Sequence, residues 1–207
     1  MRPITDPLPS PAPYAHLMPI EIRPVRPEDR TALQAGFDRL SERSRYRRFL
    51  SPHSRLTDSE LRYLTEVDHH DHEALVAIDP ATGEGIGIAR YIRSRVDEHV
   101  AELAVAVADD WQRHGVGSEL AAALADRAHD EGVTAFTASL FTDNTLMLSV
   151  IRHLGAVRDV RTEQGVIELT VDLPNAAVGQ SLTCSAAPRE ARSSPALAPA
   201  VLSSRRR

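Results

Sequence analysis

The chain has 207 residues and a formal net charge of −5. That length suits one domain with a full core plus tails, and that charge gives no electrostatic support to general nucleic-acid or membrane-surface binding. No stretch approaches the apolar length of a membrane span, the N-terminus lacks an apolar signal core, and the single cysteine, Cys184, excludes an intramolecular disulfide and points to a reducing cytoplasm.

In chain order, Met1 to Met18 holds five Pro residues with no helical or strand period. Residues 1–19 are therefore predicted to be a disordered tail, because they bury too little apolar surface to offset their ordering entropy. Ile20-Glu-Ile-Arg-Pro-Val reads as a first strand, and Arg26-Pro-Glu-Asp opens a helix running to about Leu40. Thr57-Asp-Ser-Glu60 is a capping box that starts a second helix ending near Val67. Glu73 to Asp79 and Gly85 to Ile92 alternate as the two strands of a hairpin. An apolar strand from Val100 to Ala108 then breaks at Asp109 and Asp110, and a long helical pattern follows from Ser118. Ala135 to Phe141 reads as a strand, Asp143-Asn-Thr-Leu-Met-Leu as a helix stopped by Gly155, and two last strands surround Glu163-Gln-Gly165. From Asn175 the chain turns to Ala, Ser, Pro and Arg, so residues 175–207 are predicted to be a second disordered tail, its terminal Arg205 to Arg207 solvated.

One junction points to a particular chemistry. A strand that turns through Gln112-Arg-His-Gly115-Val-Gly117 into a helix leaves several backbone N–H groups aimed at one spot, and the helix dipole behind them favours phosphate. Gly115 and Gly117 remove the Cβ atoms that would block a ligand's approach. The spacing fits neither a dinucleotide fingerprint nor a nucleotide-triphosphate loop, which needs a lysine. Glu102 lies in Ala101-Glu-Leu-Ala-Val-Ala-Val, where alternation puts Leu103, Val105 and Val107 on one face and Glu102, Ala104 and Ala106 on the other. Two readings of this carboxylate stand side by side: a general base on a ligand-facing strand, or a rim residue paired with Arg90 or Arg93.

The pattern Gln-x-x-Gly-x-Gly, after a strand and opening a helix, resembles the acyl-CoA pyrophosphate loop of the GNAT N-acyltransferase superfamily. The order β-α-α-β-β-β-α-β-α-β-β extends the resemblance over residues 20–174, about three-quarters of the chain. Ala101-Glu-Leu-Ala-Val and Ser41-Glu-Arg-Ser-Arg-Tyr-Arg-Arg-Phe are similar to stretches of the bacterial protein lysine acetyltransferases in that superfamily. The resemblance implies an α/β GNAT domain over residues 20–174, with a mixed, mostly antiparallel sheet, splayed central strands and about four helices.

It further implies that acetyl-CoA is co-substrate and that Glu102 is the general base for an amine attacking in a ternary complex. The pyrophosphate would rest on backbone N–H groups of Gln112, Arg113, His114, Gly115, Val116 and Gly117, near the Ser118 hydroxyl. The Val105 N–H would polarise the thioester in oxyanion-hole fashion, with Val107 further along the cofactor strand. Asn144 matches an asparagine that contacts the pantetheine arm; helix capping is its alternative role, for which Asp143 competes. Where many members carry a tyrosine general acid this chain has Ile151. The acceptor implied is a protein lysine, with a small-molecule amine, or an acyl-CoA sensor without catalysis, as the other classes. Arg45 or Arg48 would select an acidic acceptor surface, or else Tyr46 and Phe49 pack into the core with the arginines solvated. Asp68-His-His-Asp-His72-Glu is read as a polar turn rather than a metal site, since no second ligand group at metal-site spacing follows.

Overall fold

The computed structural model describes residues 20–174; both predicted tails lie outside the described residues. Seven strands form one sheet in the order β1-β2-β3-β4-β5-β7-β6. They are β1 (Glu21–Pro24), β2 (His72–Ile78), β3 (Gly85–Arg93), β4 (Val100–Val107), β5 (Ala135–Phe141), β6 (Ala156–Glu163) and β7 (Val166–Asp172). All neighbours are antiparallel except β4 and β5, which are parallel.

Five α-helices cover the two faces: α1 (Arg30–Asp38), α2 (Glu42–Phe49), α3 (Asp58–Thr65), α4 (Val116–Asp130) and α5 (Thr145–Leu154). The sequence pattern gave about four, with two between β1 and β2; the structure places three there. The extra one is α2, which has no buried residue and so no apolar stripe to announce it. The hydroxyl of Ser41 caps its start by accepting from the Ser44 N–H, and Leu50, in the left-handed region at φ 53°, ends it. Pro27–Asp29 forms a 3-10 turn in front of α1, where the sequence suggested continuous helix. Asp29 grips both Nη atoms of Arg23, at 2.8 and 2.7 Å, and accepts from the Arg26 N–H.

The period of each strand sorts its side chains to the two faces of the sheet. On one face Leu75, Tyr91, Leu103 and Phe136 pack against Leu120 and Leu124 of α4 and Ile151 and Leu154 of α5. Glu73 is fully buried on this side, and its carboxylate accepts from Arg127 of α4 at 3.1 and 3.2 Å, from the Ala74 N–H at 2.8 Å and meets His69 at 2.8 Å. Four donors around one carboxylate satisfy a charge that burial alone would penalise. On the other face Phe37, Leu40, Leu56 and Leu64 form a smaller core under α1 and α3, with Ala106 against it.

The predicted polar turn before β2 is held by Asp68, whose Oδ1 accepts from the N–H groups of His70 and His72 at 2.9 and 2.8 Å. Its histidines diverge: His69 to Glu73, His70 to Glu131 at 2.6 Å and His72 onto the Tyr63 ring at 5.0 Å. Among the described residues no three His, Cys, Asp or Glu side chains converge on one point.

Two stability tests follow from this packing. A Cβ on Gly155, which joins α5 to β6, would lie 1.9 Å from the Asp172 carbonyl oxygen. Gly155→Ala should therefore cost about 3 kcal/mol, or roughly 10 °C in Tm; an unchanged Tm would contradict this approach of β6 to β7. Burial and the nearby charge of Arg90 push the His72 imidazole down to about 4. As pH falls from ~6.5, where an unfolded histidine titrates, the unfolded chain binds a proton that the folded chain refuses until about pH 4. Stability at His72 is thus lost on acidification through that window. His72→Phe keeps a ring against Tyr63, so its Tm should fall less between pH 7 and 5 than that of the parent chain. Parallel losses in the two proteins would remove His72 from the acid response.

Candidate active site

The site originates in an interrupted pairing. β4 and β5 are in register only at Val100↔Ala135, Ala101↔Phe136 and Glu102↔Thr137, after which β5 continues on β7 alone. His99 accepts from the N–H groups of Thr134 and Ala135 on the β5 side, whereas Val100 accepts from Ser94 and Ala108 donates to Ile86 on the β3 side. Alternation then turns the backbone groups of Leu103, Val105 and Val107 toward the gap left by β5. The Val107 carbonyl is met by Gln112 Nε2 at 3.2 Å.

The turn after β4 closes one end of the gap. Arg113 and Gly115 both lie in the left-handed region, at φ 66° and 88°, and Gly115 caps α4, its carbonyl accepting from the N–H groups of Ser118 and Glu119 at 2.9 and 3.0 Å. Among the described residues no hydrogen bond is made by the amides of Arg113, His114, Gly115, Val116 or Gly117. Alternating backbone hands with bare amides at a helix N-terminus make an anion cradle. Gly115 needs its freedom for its φ. Gly117 lies in the first turn of α4, where a Cβ would touch Val107, Val150 and Val105 at 3.5 to 3.9 Å.

Around this gap lies a cavity of about 340 Å³. It gathers Glu102, Val105, Val107, Gln112, Arg113, Gly115, Gly117, Ser118 and Asn144 of the sequence-predicted residues. Two others point elsewhere. Val116 is 2% exposed and belongs to the core, so only its backbone borders the gap, and the exposed His114 ring sits edge-on to Trp111 at 6.4 Å. Asn144 caps α5, its Oδ1 accepting from the Met147 N–H at 3.3 Å, and lines the cavity as well. Asp143 does not cap; it pairs with Arg43 and Arg47 of α2 at 3.0 and 2.8 Å. Sequence reading missed the wall supplied by α5, where Leu146, Met147, Val150 and His153 face the cavity. Their i, i+1, i+4, i+7 spacing, one face of a helix, was the available signal, but it reads equally as core.

The acceptor-side face is more charged than the sequence suggested. Glu102, half-buried, faces α2 beside Ala104 and Ala106. Arg93 lies on the opposite face, donating to the Glu131 carbonyl at 2.9 Å, and Arg90 donates to the Leu64 carbonyl at 2.8 Å. The cation set against Glu102 is Arg48: desolvation lowers its guanidinium from the ordinary arginine value, and the Glu102 carboxylate opposes that shift. Arg48 also lies over the Phe49 ring at 5.1 Å. Arg45 is engaged rather than solvated: it donates to the carbonyls of Ser54 and Asp38 and lies 4.5 Å from the Phe37 ring. Tyr46 is 42% exposed, stacked on Phe141 at 5.0 Å instead of entering the core. Ile151 is fully buried, and Tyr91, whose hydroxyl donates to the His70 carbonyl, lies in the α4-side core.

A mixed sheet opened between two central parallel strands, with a helix N-terminus at the opening, is the framework of an N-acyltransferase. The chain belongs to the GNAT acetyltransferase family: the acetyltransferase (GNAT) domain matches residues 20–157. Acetyltransferase Pat of Mycolicibacterium smegmatis is 40% identical over 153 residues, 74% of this chain and 45% of Pat. The GNAT domain of S. lividans PAT superposes with a TM-score of 0.67 at 30% identity, covering 73% of this chain and 89% of that one. A cAMP-binding acyltransferase from Mycobacterium smegmatis gives 0.53 at 35% identity, over 78% of this chain and 46% of that one. The chain spans about half the length of the curated relatives it matches. Among the described residues no helix is long and apolar enough to cross a membrane.

Proposed function

We propose that residues 20–174 form a cytoplasmic acetyltransferase domain that moves the acetyl group of acetyl-CoA to a protein lysine ε-amine. The observation that carries this reading is the juxtaposition of Glu102 with the parted strands and the bare amides of the α4 turn in one cavity. The likeness to Pat supports a protein acceptor. The amides of Arg113 to Gly117, with Ser118 beside them, would hold the CoA pyrophosphate, the Gln112 amide being spent on the Asp109 carbonyl, and Val107, Val105 and Asn144 would line the path of the pantetheine arm.

The chemistry needs few groups. A lysine amine of pKa ~10.4 arrives protonated and cannot attack until it gives up a proton, which Glu102 accepts directly or through water. The freed nitrogen attacks the thioester carbon, a C–N bond forms, and the Val105 N–H meets the negative charge growing on oxygen. The attacking nitrogen, positively charged once the C–N bond has formed, releases its second proton to solvent as the C–S bond breaks; the CoA thiolate that leaves, with a thiol pKa of ~8.5, takes a proton from solvent in turn.

The cofactor half of this reading is tested by Gly117→Glu, which sets a side chain and a negative charge where the phosphates lie. Calorimetry should show acetyl-CoA affinity falling about tenfold or more with little change in the ligand-free Tm. A folded variant of undiminished affinity would leave the α4 turn without its role. The catalytic half is tested by Glu102→Gln, which keeps the shape but cannot take the proton. Turnover should drop by ~10²–10⁴-fold at pH 7 while acetyl-CoA binding persists. The deficit should narrow as pH rises, because more of the amine is already neutral. Full activity at pH 7 would assign the base elsewhere.

A further inference from the structure

The arginines around the acceptor side fall into two groups. Those at the rim are each taken up by the protein: Arg39 meets Glu84 and Asp110 at 2.9 and 2.5 Å, Arg43 and Arg47 share Asp143, Arg23 holds Asp29 at 2.7 Å, and Arg45 donates to the Ser54 and Asp38 carbonyls. The inner pair is different. Arg90 is 3% exposed and is the register partner of Ala104, on the same sheet face as Glu102 and diagonal to it. Arg48 comes down from α2 onto that face. Both guanidiniums line a second cavity, of about 150 Å³, which shares Leu40, Arg48, Phe49 and Ala106 with the wall of the first.

Charge is out of balance here. Burial, and after it the charge of the Arg48 guanidinium, push Arg90 down to about 9. Glu102 is a carboxylate that opposes this at Arg48. Among the described residues the Leu64 carbonyl is the one acceptor on the Arg90 guanidinium, which has five N–H donors to offer. A desolvated like-charge pair is costly unless a further anion joins it, and a guanidinium fork is matched to a carboxylate.

We propose that Arg48 and Arg90 form a carboxylate pocket for the acceptor, so that the lysine acetylated is one with an aspartate or glutamate within two residues of it. The inference rests on the lysine-acceptor reading above and adds its specificity. With such an acceptor bound, two guanidiniums face two carboxylates, Glu102 and the substrate's own, while the amine sits beside Glu102. An acidic neighbour supplies what the pocket lacks, whereas a basic one would add a third cation.

The test uses the full chain, acetyl-CoA and three peptides identical except that glutamate, glutamine or arginine flanks their single lysine. The glutamate peptide should exceed the glutamine peptide in kcat/KM by about ten- to a hundredfold, the scale of a charge-assisted hydrogen-bonded pair, and the arginine peptide should be poorest. In Arg48→Met, which keeps an apolar stem against Phe49, the glutamate-to-glutamine ratio should collapse to parity; Arg48→Gln gives the same reading if the first variant folds poorly. Equal rates on the glutamate and glutamine peptides, or a preference that survives in a folded Arg48 variant, would overturn the inference and leave lysine acetylation standing. Turnover of free amines with none on any peptide would overturn both.

Discussion

The structure depends on one short run of backbone pairing. β4 and β5 run parallel and share hydrogen-bond register at only three positions, ending at Glu102↔Thr137. Were the pairing to continue, the backbone groups of Leu103, Val105 and Val107 would be consumed by the sheet and no cleft would exist. Two neighbours keep it open. On one side Gln112 reaches back to the Val107 carbonyl, closing the turn into α4; on the other, β5 completes its pairing on β7 through Phe141. Each strand is satisfied along its outer edge, so the inner edges part without leaving the sheet unstable.

The same parting gives the two faces different work. The α4 and α5 side is a dry core of Leu, Val, Ile and Phe, pinned at its edge by the buried Glu73, which the more exposed Arg127 meets from α4. The opposite side carries Glu102 and the small residues Ala104 and Ala106, over which α2 is suspended. That helix is held by polar straps to both banks of the cleft: Ser44 to Gln112 on the α4 turn at 3.2 Å, and Arg43 and Arg47 to Asp143 before α5. These ion pairs are solvent-exposed and individually weak. Their placement matters more than their strength, since they bridge the two elements that the sheet lets separate.

Much of this was legible in the sequence because it was local. The Thr57–Glu60 capping box, the Gly155 stop and the strand–turn–helix through Gly115 are fixed by residues within one turn of each other, and each element formed within a few residues of its expected bounds. What escaped depends on distant partners. Helix α2 has no apolar period, and its straps come from residues about 70 to 100 positions away. Arg45 and Arg48 are the same residue type one turn apart, yet one is spent on nearby carbonyls and the other faces Glu102 across the fold. Val116 shows a different limit: a motif marks which backbone turns toward a ligand, but the side chain on that backbone can belong to the core.

The buried Ile151 bears on how the thiolate leaves. α5 presents Met147 and Val150 to the cavity and Ile151 and Leu154 to the core, so position 151 lies on the boundary between them, turned inward. A phenol here would have to replace packed core volume before its hydroxyl reached the cleft, at the cost of overpacking. The isoleucine instead closes the core beneath α5. On the proposed mechanism the need for an acid is small, because a thiolate at pKa ~8.5 is a far better leaving group than the amine that displaces it at ~10.4. The demanding step is deprotonating the amine, and there the chain concentrates its charge: Glu102 with Arg48 against it and Arg90 behind. A site arranged in this way puts its electrostatics at the nucleophile and leaves the departing sulfur to solvent.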